Sequence, residues 1–408
     1  MLTALSMGLS SAAALHSPVS DPRVLAQPPT PLVNRRGLAD AEATAMGRRA
    51  LLQTGAAAGV GAASFGAFPM AAAAKDEKTW DVVDLPIISE TPPILFDIEF
   101  DTKDPKRGWI VGNRGTFLET SDGGKSWSAK SFANLDPDEE INYRFTKISF
   151  KDGEGWIIGK PAILLHTRDA GGSWERVPLS PKLPGDPYSI VALGPGKAEM
   201  STSAGAIYTT ENAGRNWKAE VRETIDATLN RVSSSGVQGA SYFSGSVNSI
   251  QRDADGSYLA VSARGNFYLT YKPGDEFWVP HNRETSRRIT SMGFVKDRMV
   301  DGLWMSTAGG EISKTNTAVD TLAINIPFDK LQIRSGGYGI LDVVFLPDSK
   351  NAWAVGGGGT IFRSIDGGAT WNKDKAADDL PSNLYKIKFF GDAGYILGSS
   401  GVLLKSRA

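Results

Sequence analysis

Residues 364–371 read SIDGGATW, and the same order recurs as TSDGGKSW at 120–127, TRDAGGSW at 167–174 and, more loosely, TENAGRNW at 210–217. A hydroxyl residue opens each copy, an acid or its amide follows two residues later, small residues fill the middle, and tryptophan closes it. An Asp in a tight turn accepts hydrogen bonds from the turn's own backbone N–H groups. Glycine supplies the positive φ such a turn needs. The tryptophan then buries a large ring beside it. Asp122, Asp169 and Asp366, with Trp127, Trp174, Trp217 and Trp371, therefore read as structural staples. A catalytic or calcium-binding role is the alternative, but several equivalent copies point away from a single active centre.

The frame extends upstream. GWIVGNRGTFLETSDGGKSW (108–127) aligns with GWIIGKPAILLHTRDAGGSW (155–174) and AWAVGGGGTIFRSIDGGATW (352–371). Weaker members are 198–217, 258–277 and 303–322, and 394–406 stops at the chain end. The opening residues are Thr120, Thr167, Thr210, Thr270, Thr315, Ser364 and Ser406, spaced by 47, 43, 60, 45, 49 and 42 residues. A period in the forties built from strand-like units is the signature of propeller blades. Within a unit, apolar and polar residues alternate, break at a Gly-containing turn and resume, as a hairpin does. Another strand precedes each hairpin (ILFDIEF, YRFTKISF, GILDVVFL, NLYKIKFF), and a fourth follows each box, as in WERVPL (174–179). The chain predicts an all-β, seven-bladed propeller of four-stranded antiparallel blades. The seventh unit lacks its box and fourth strand, and Thr79-Trp80 with the strand after it supplies both. That pairing closes the ring and removes its open edge. The box pattern itself resembles the Asp-box of sialidases and several other β-propellers.

Bulk composition narrows the chemistry. Forty-four basic residues nearly balance forty-five acidic ones, so no global charge draws the chain to nucleic acid. There is no cysteine, hence no disulfide framework and no thiolate. Three histidines, His16, His166 and His281, cannot build a histidine-rich metal site. No metal and no cofactor are expected. His166 falls in a third strand as a buried or neutral side chain, and His281 is expected to be solvated, with a partner contact as the alternative. GGGGT (356–360) lies at a strand turn without a following Lys-Ser/Thr or helix, so it is no phosphate loop.

The first 74 residues stand apart. Residues 1–40 are rich in Ala, Ser and Pro, with Asp21 and Asp40 as their acids. That is the composition of an organelle transit peptide. Arg48-Arg49 then precede a mild apolar run ending in AAAA at 71–74. This looks like a twin-arginine export signal, cleaved between Ala74 and Lys75; a membrane anchor is the alternative. Two signals in series predict a plastid protein sent to the thylakoid lumen. They leave 75–408 as a single propeller domain.

Leader, seven Asp-box units, closure from the mature N-terminus and stretches such as WVPHNRETSRRITSMGF (278–294) together resemble the photosystem II stability/assembly factor family. The resemblance covers the whole mature chain. It implies a non-enzymatic lumenal factor that binds the newly made precursor of a reaction-centre core subunit and promotes assembly of the early reaction-centre complex. A closed propeller is expected to be a monomer, its partly polar surface suggests visits to the membrane through protein partners, and its charge balance suggests no nucleic acid. The resemblance also favours an arginine-rich partner site, and the candidates are Arg231, Arg252, Arg264, Arg283, Arg287 and Arg288. Arginine forks pair with carboxylates. The competing reading scatters these arginines and pairs them with Asp253, Asp255, Asp275, Glu276 and Glu284. The insertion 223–245 carries Tyr242 and Phe243, either as partner contacts or as packing onto the blade. Two rival functions share the fold: a sialidase-like glycoside hydrolase, for which YRFT (143–146) is a poor match to the arginine motif, and a lumenal scaffold with another protein partner.

Overall fold

The computed structural model describes residues 79–407, apart from 88–89, 222–245, 316–318, 320–322, 324, 338 and 348–349. The expected leader and the 223–245 insertion, with Arg231, Tyr242 and Phe243, lie outside the described residues. Every described residue falls within one compact unit, Ala71–Ala408.

The unit is a ring of seven four-stranded antiparallel sheets, each in simple up-and-down order. Blade one runs Leu95–Phe100, Gly108–Gly112, Phe117–Thr120 and Ser128–Ala129. Blade seven takes three strands from the C-terminus, Leu384–Phe390, Ala393–Gly398 and Leu403–Ser406, and its outer strand, Trp80–Val82, from the other end of the chain. The closing register sets Trp80 opposite Ser406 and Val82 opposite Leu404. Second strands such as Gly108–Gly112 are buried along their whole length, because blades pack on both faces of each sheet. Fourth strands are shorter than their sequence suggests: WERVPL contributes only Glu175–Arg176. They form the outer rim of the blades, and short rims resist edge-to-edge pairing.

The boxes form the turns between third and fourth strands. In the sixth-blade copy, Asp366 Oδ1 accepts from Ser364 Oγ at 2.7 Å and Thr370 N at 2.9 Å, while Oδ2 accepts from Thr370 Oγ1 at 2.6 Å. Ser364 Oγ in turn accepts from Gly368 N at 2.8 Å. Asp122 and Asp169 repeat the pattern with Ser126 and Ser173. Asn212 keeps its backbone half, accepting from Asn216 N at 2.9 Å. Each box also seats on the preceding blade. Gly123 O accepts from Tyr395 OH and Lys405 Nζ of blade seven, and Gly367 O from Lys314 Nζ of blade five. At Gly171, φ is +81° and a Cβ would stand 2.9 Å from the Trp109 indole of blade one. Only glycine fits there.

Two features differ from the sequence expectation. In blade four the closing position belongs to Trp278, 3% exposed and donating Nε1–H to Gly205 O at 2.8 Å, whereas the aligned Phe277 is 48% exposed. The turn is one residue longer than the frame allows. His281 is not solvated: it is fully buried, its Nε2 faces Thr270 Oγ1 and its Nδ1 faces Ala323 O, both at 2.7 Å. His166 is also fully buried, between Glu154 and Glu175 and stacked on Trp156.

The boxes give a pH prediction. The Thr370 hydroxyl and backbone N–H hold Asp366 at about 2. Burial raises Asp169, but the Ser173 contacts outweigh it and hold it also at about 2. Folded values below the unfolded ones mean stability that is present above about pH 4 and lost as pH falls toward 2. Unfolding followed by tryptophan fluorescence should show stability flat from pH 7 to 5 and falling steeply below 4. An Asp366→Asn variant should start less stable and lose less over that fall.

Candidate partner-binding face

Chain direction sorts the loops onto two faces. Turns between strands one and two and the boxes fall on one, called here the box face. Turns between strands two and three fall on the other, with the connections between blades, and this is the connection face. On the connection face the turns of blades one, four, five, six and seven bond to the segment that leads into the next blade. Gly115 N donates to Tyr143 O, Ile289 N to Gly265 O, Ser335 Oγ to Gly309 O, Gly359 N to Ser382 O, and Gly401 N to Pro93 O. These bonds tie neighbouring blades together on that face.

The arginines divide against this frame. Arg264 lies in the second-to-third-strand turn of blade four and Arg288 in the segment leading into blade five. Both are exposed, and neither forms an ion pair among the described residues. Their backbones are neighbours, because Gly265 O receives Ile289 N at 2.8 Å and Arg288 O receives Ala308 N at 2.9 Å. Arg287 sits beside them, half-exposed, donating to Ala308 O at 3.1 Å with Glu311 3.8 Å away. Arg283 is a different kind of residue. It is 7% exposed, and its guanidinium is used by Thr285 O, Ser286 O, Gly265 O and Asn266 Oδ1. It builds the corner that presents Arg264 and Arg288. Burial first, and the Arg288 charge second, pull it below the ordinary guanidinium value.

Arg252 does not belong with them. It ends the first strand of blade four, next to the box-face turn, and lines a cavity of about 440 Å³ at that end of the channel. Glu199 Oε1 takes its Nε at 3.0 Å, and Asp253 O takes its Nη1 at 3.0 Å. The proximity of Arg252 to Arg264 in sequence misleads, because one strand carries the chain across the whole thickness of the ring. Asp253, a counter-ion in the scatter reading, is spent on the N–H groups of Asp255, Ser257 and Met299.

Sequence reasoning missed two further arginines on the same face, Arg144 at the start of blade two and Arg334 leading into blade six. Both are exposed and without an ion pair among the described residues. It also missed the lining of the central channel. All seven first strands shift register against their second strands at one place, and the residues after the shift are Asp97, Lys147, Ser189, Ser249, Ser291, Asp342 and Lys386. An extra residue at a β-bulge re-aims side chains. The charged ones stitch neighbouring blades, whose inner strands do not pair. Asp97 takes Lys388 at 2.7 Å, Lys147 at 3.4 Å and the backbone N–H of Ile148 at 3.3 Å. Asp342 takes Lys386 and Ile387 N, both at 3.0 Å. Burial alone would raise Asp97, but the two lysines hold it at about 2. The signal was present in the aligned strands: FDI, TKI, LDV and YKI each put a charge at one register of an apolar run. Among the described residues no group of three or more His, Asp or Glu is placed to hold a metal ion, and no helix is long and apolar enough to cross a membrane.

The profile of the family described as "Photosynthesis system II assembly factor YCF48" matches residues 72–407. The photosystem II stability/assembly factor HCF136 of Guillardia theta is 57% identical over 329 residues, covering 80% of this chain and 82% of its own. The solved YCF48 of Cyanidioschyzon merolae superposes with a TM-score of 0.74 at 51% identity, covering 81% of this chain and 98% of its own. A second solved structure, YCF48 bound to a D1 peptide, gives 0.69 at 40% identity, covering 82% and 96%. The relatives' names place them in chloroplasts or, in the cyanobacterium Trichormus variabilis, among lipoproteins. A seven-bladed ring matched from its closing strand to its last residues at such identities leaves one assignment: the chain belongs to the photosystem II stability/assembly factor family, HCF136/YCF48.

Proposed function

We propose that this protein is a non-enzymatic photosystem II assembly factor of the thylakoid lumen. It receives an extended lumenal segment of the D1 precursor on its connection face and holds it for assembly of the early reaction-centre complex. The observation that carries this reading is the D1 peptide bound by a relative 40% identical over 82% of this chain. Arg264 and Arg288 support the choice of face, with Arg287 alongside and Arg283 as the buried corner. An arginine free of internal counter-ions is available to a partner's carboxylate. The matched region starts at residue 72, beside the expected cleavage after Ala74, which supports a leader removed on delivery. The mature ring acts as a monomer and meets the membrane through its partner.

Calorimetry with a synthetic peptide of the D1 C-terminus tests this. The double variant Arg264→Glu, Arg288→Glu should fold as the parent does, since both side chains are exposed. It should bind at least about tenfold more weakly, the loss of one or more charge-assisted contacts. Binding by the parent should also weaken with added salt. Equal binding by parent and variant moves the site elsewhere. No binding by the parent removes the D1 reading itself.

A further inference from the structure

The channel opens on the connection face into a cavity of about 450 Å³, whose lining includes Arg144, Lys147, Lys160 and Lys386. Their counter-ions are unevenly shared. Lys386 has Asp342 at 3.0 Å, and Lys160 has Asp186 at 3.4 Å. Asp97 serves two lysines and sits nearer to Lys388, which also reaches Glu99 at 3.1 Å. Lys147 is left with the far oxygen of a shared carboxylate at 3.4 Å. Arg144 is exposed at the mouth and forms no ion pair among the described residues.

From this arrangement we infer that the connection-face end of the channel is a socket for the free C-terminal carboxylate of an extended partner segment, held by Arg144 and Lys147. Positive charge in a walled recess acts more strongly on an anion than the same charge on an open surface. Burial pulls Lys147 below the ordinary amine value more than Asp97 holds it up, as expected of a cation short of compensation. An incoming carboxylate would supply what is missing. A chain end suits the place better than an internal acidic residue. An end needs one strand of chain to enter, whereas an internal residue must bring the chain both in and out past Tyr188 and Tyr385 at the mouth. The socket opens on the face that carries Arg264 and Arg288, so a segment lying across those arginines can turn its end into the ring.

The inference rests on the reading above for the identity of the partner, and the experiment separates the two. The protein is titrated with two synthetic peptides of the D1 C-terminal sequence, one a free acid and one a C-terminal amide. The acid should bind at least about tenfold more tightly than the amide. Arg144→Gln should remove most of that difference. Lys147→Met should do the same, but it also disturbs the Asp97 cluster, so Arg144→Gln is the deciding variant. Acid and amide binding alike, both weakened by Arg264→Glu, would overturn the socket and leave the connection-face reading standing. Neither peptide binding would overturn both.

Discussion

Trp80→Ala is expected to cost about 3–5 kcal/mol, the range for deleting a large aromatic from a packed core. Trp80 is 1% exposed. Its ring meets Trp353 edge-on at 5.1 Å and Phe389 at 6.0 Å, so it packs across the seam between blades six and seven. It belongs to the outer strand of blade seven, which comes from the other end of the chain. That strand is three residues long, and the ladder to Leu403–Ser406 is correspondingly short. Other ties lie alongside it: Arg407 forks onto Asp81 at 2.6 and 2.9 Å, Thr79 Oγ1 donates to Asp374, and Val83 N donates to Leu403 O at 2.9 Å. Exposed ion pairs contribute little, so the indole is the principal lock on the ring. Denaturant unfolding measures the loss, with Val82→Ala, 53% exposed in the same strand, as a control within about 0.5 kcal/mol. A loss below about 1 kcal/mol for Trp80→Ala would show that the ring closes by other means.

Asp97→Ala should be of similar size, about 3–5 kcal/mol, because it leaves two channel lysines facing each other without their shared carboxylate. Asp97 is 1% exposed, and it also accepts the backbone N–H groups of Ile98 and Ile148, which lose that partner with it. Adding Lys147→Met should recover part of the loss, since it deletes one of the two stranded charges. Non-additive values in this pair are the mark of direct contact. Strict additivity, or a loss near zero, would mean that water rather than Asp97 neutralises the lysines.

How much of this was legible in the sequence depended on whether a feature repeats. SIDGGATW and its copies fixed the box turns, the blade count and the closing role of Trp80, because a turn built from its own backbone is local and recurs. Trp278 escaped, because a single extra residue in the blade-four turn breaks the frame that aligned Phe277. His281 was misjudged for a related reason: its polar neighbours in sequence are not its neighbours in space, where it stacks on Tyr268 under Ala323. The arginine site was legible only in part. Arg264 and Arg288 share a face because a turn and a connection meet there. Arg252 is a strand's length away through the ring, and Arg283 is consumed by carbonyl groups that no sequence pattern announces. The charged channel lining was readable as one register of the inner strands, charged in four of them at Asp97, Lys147, Asp342 and Lys386.

The central claim, that the connection face receives the partner, is tested most directly by amide hydrogen exchange of the protein with and without the D1 C-terminal peptide. Slower exchange should appear in the turn at 263–266 and the connection at 283–289, and the box turns at 122–126, 169–173 and 366–370 should stay unchanged. Protection confined to the box turns, with none across 263–266 and 283–289, would contradict the account.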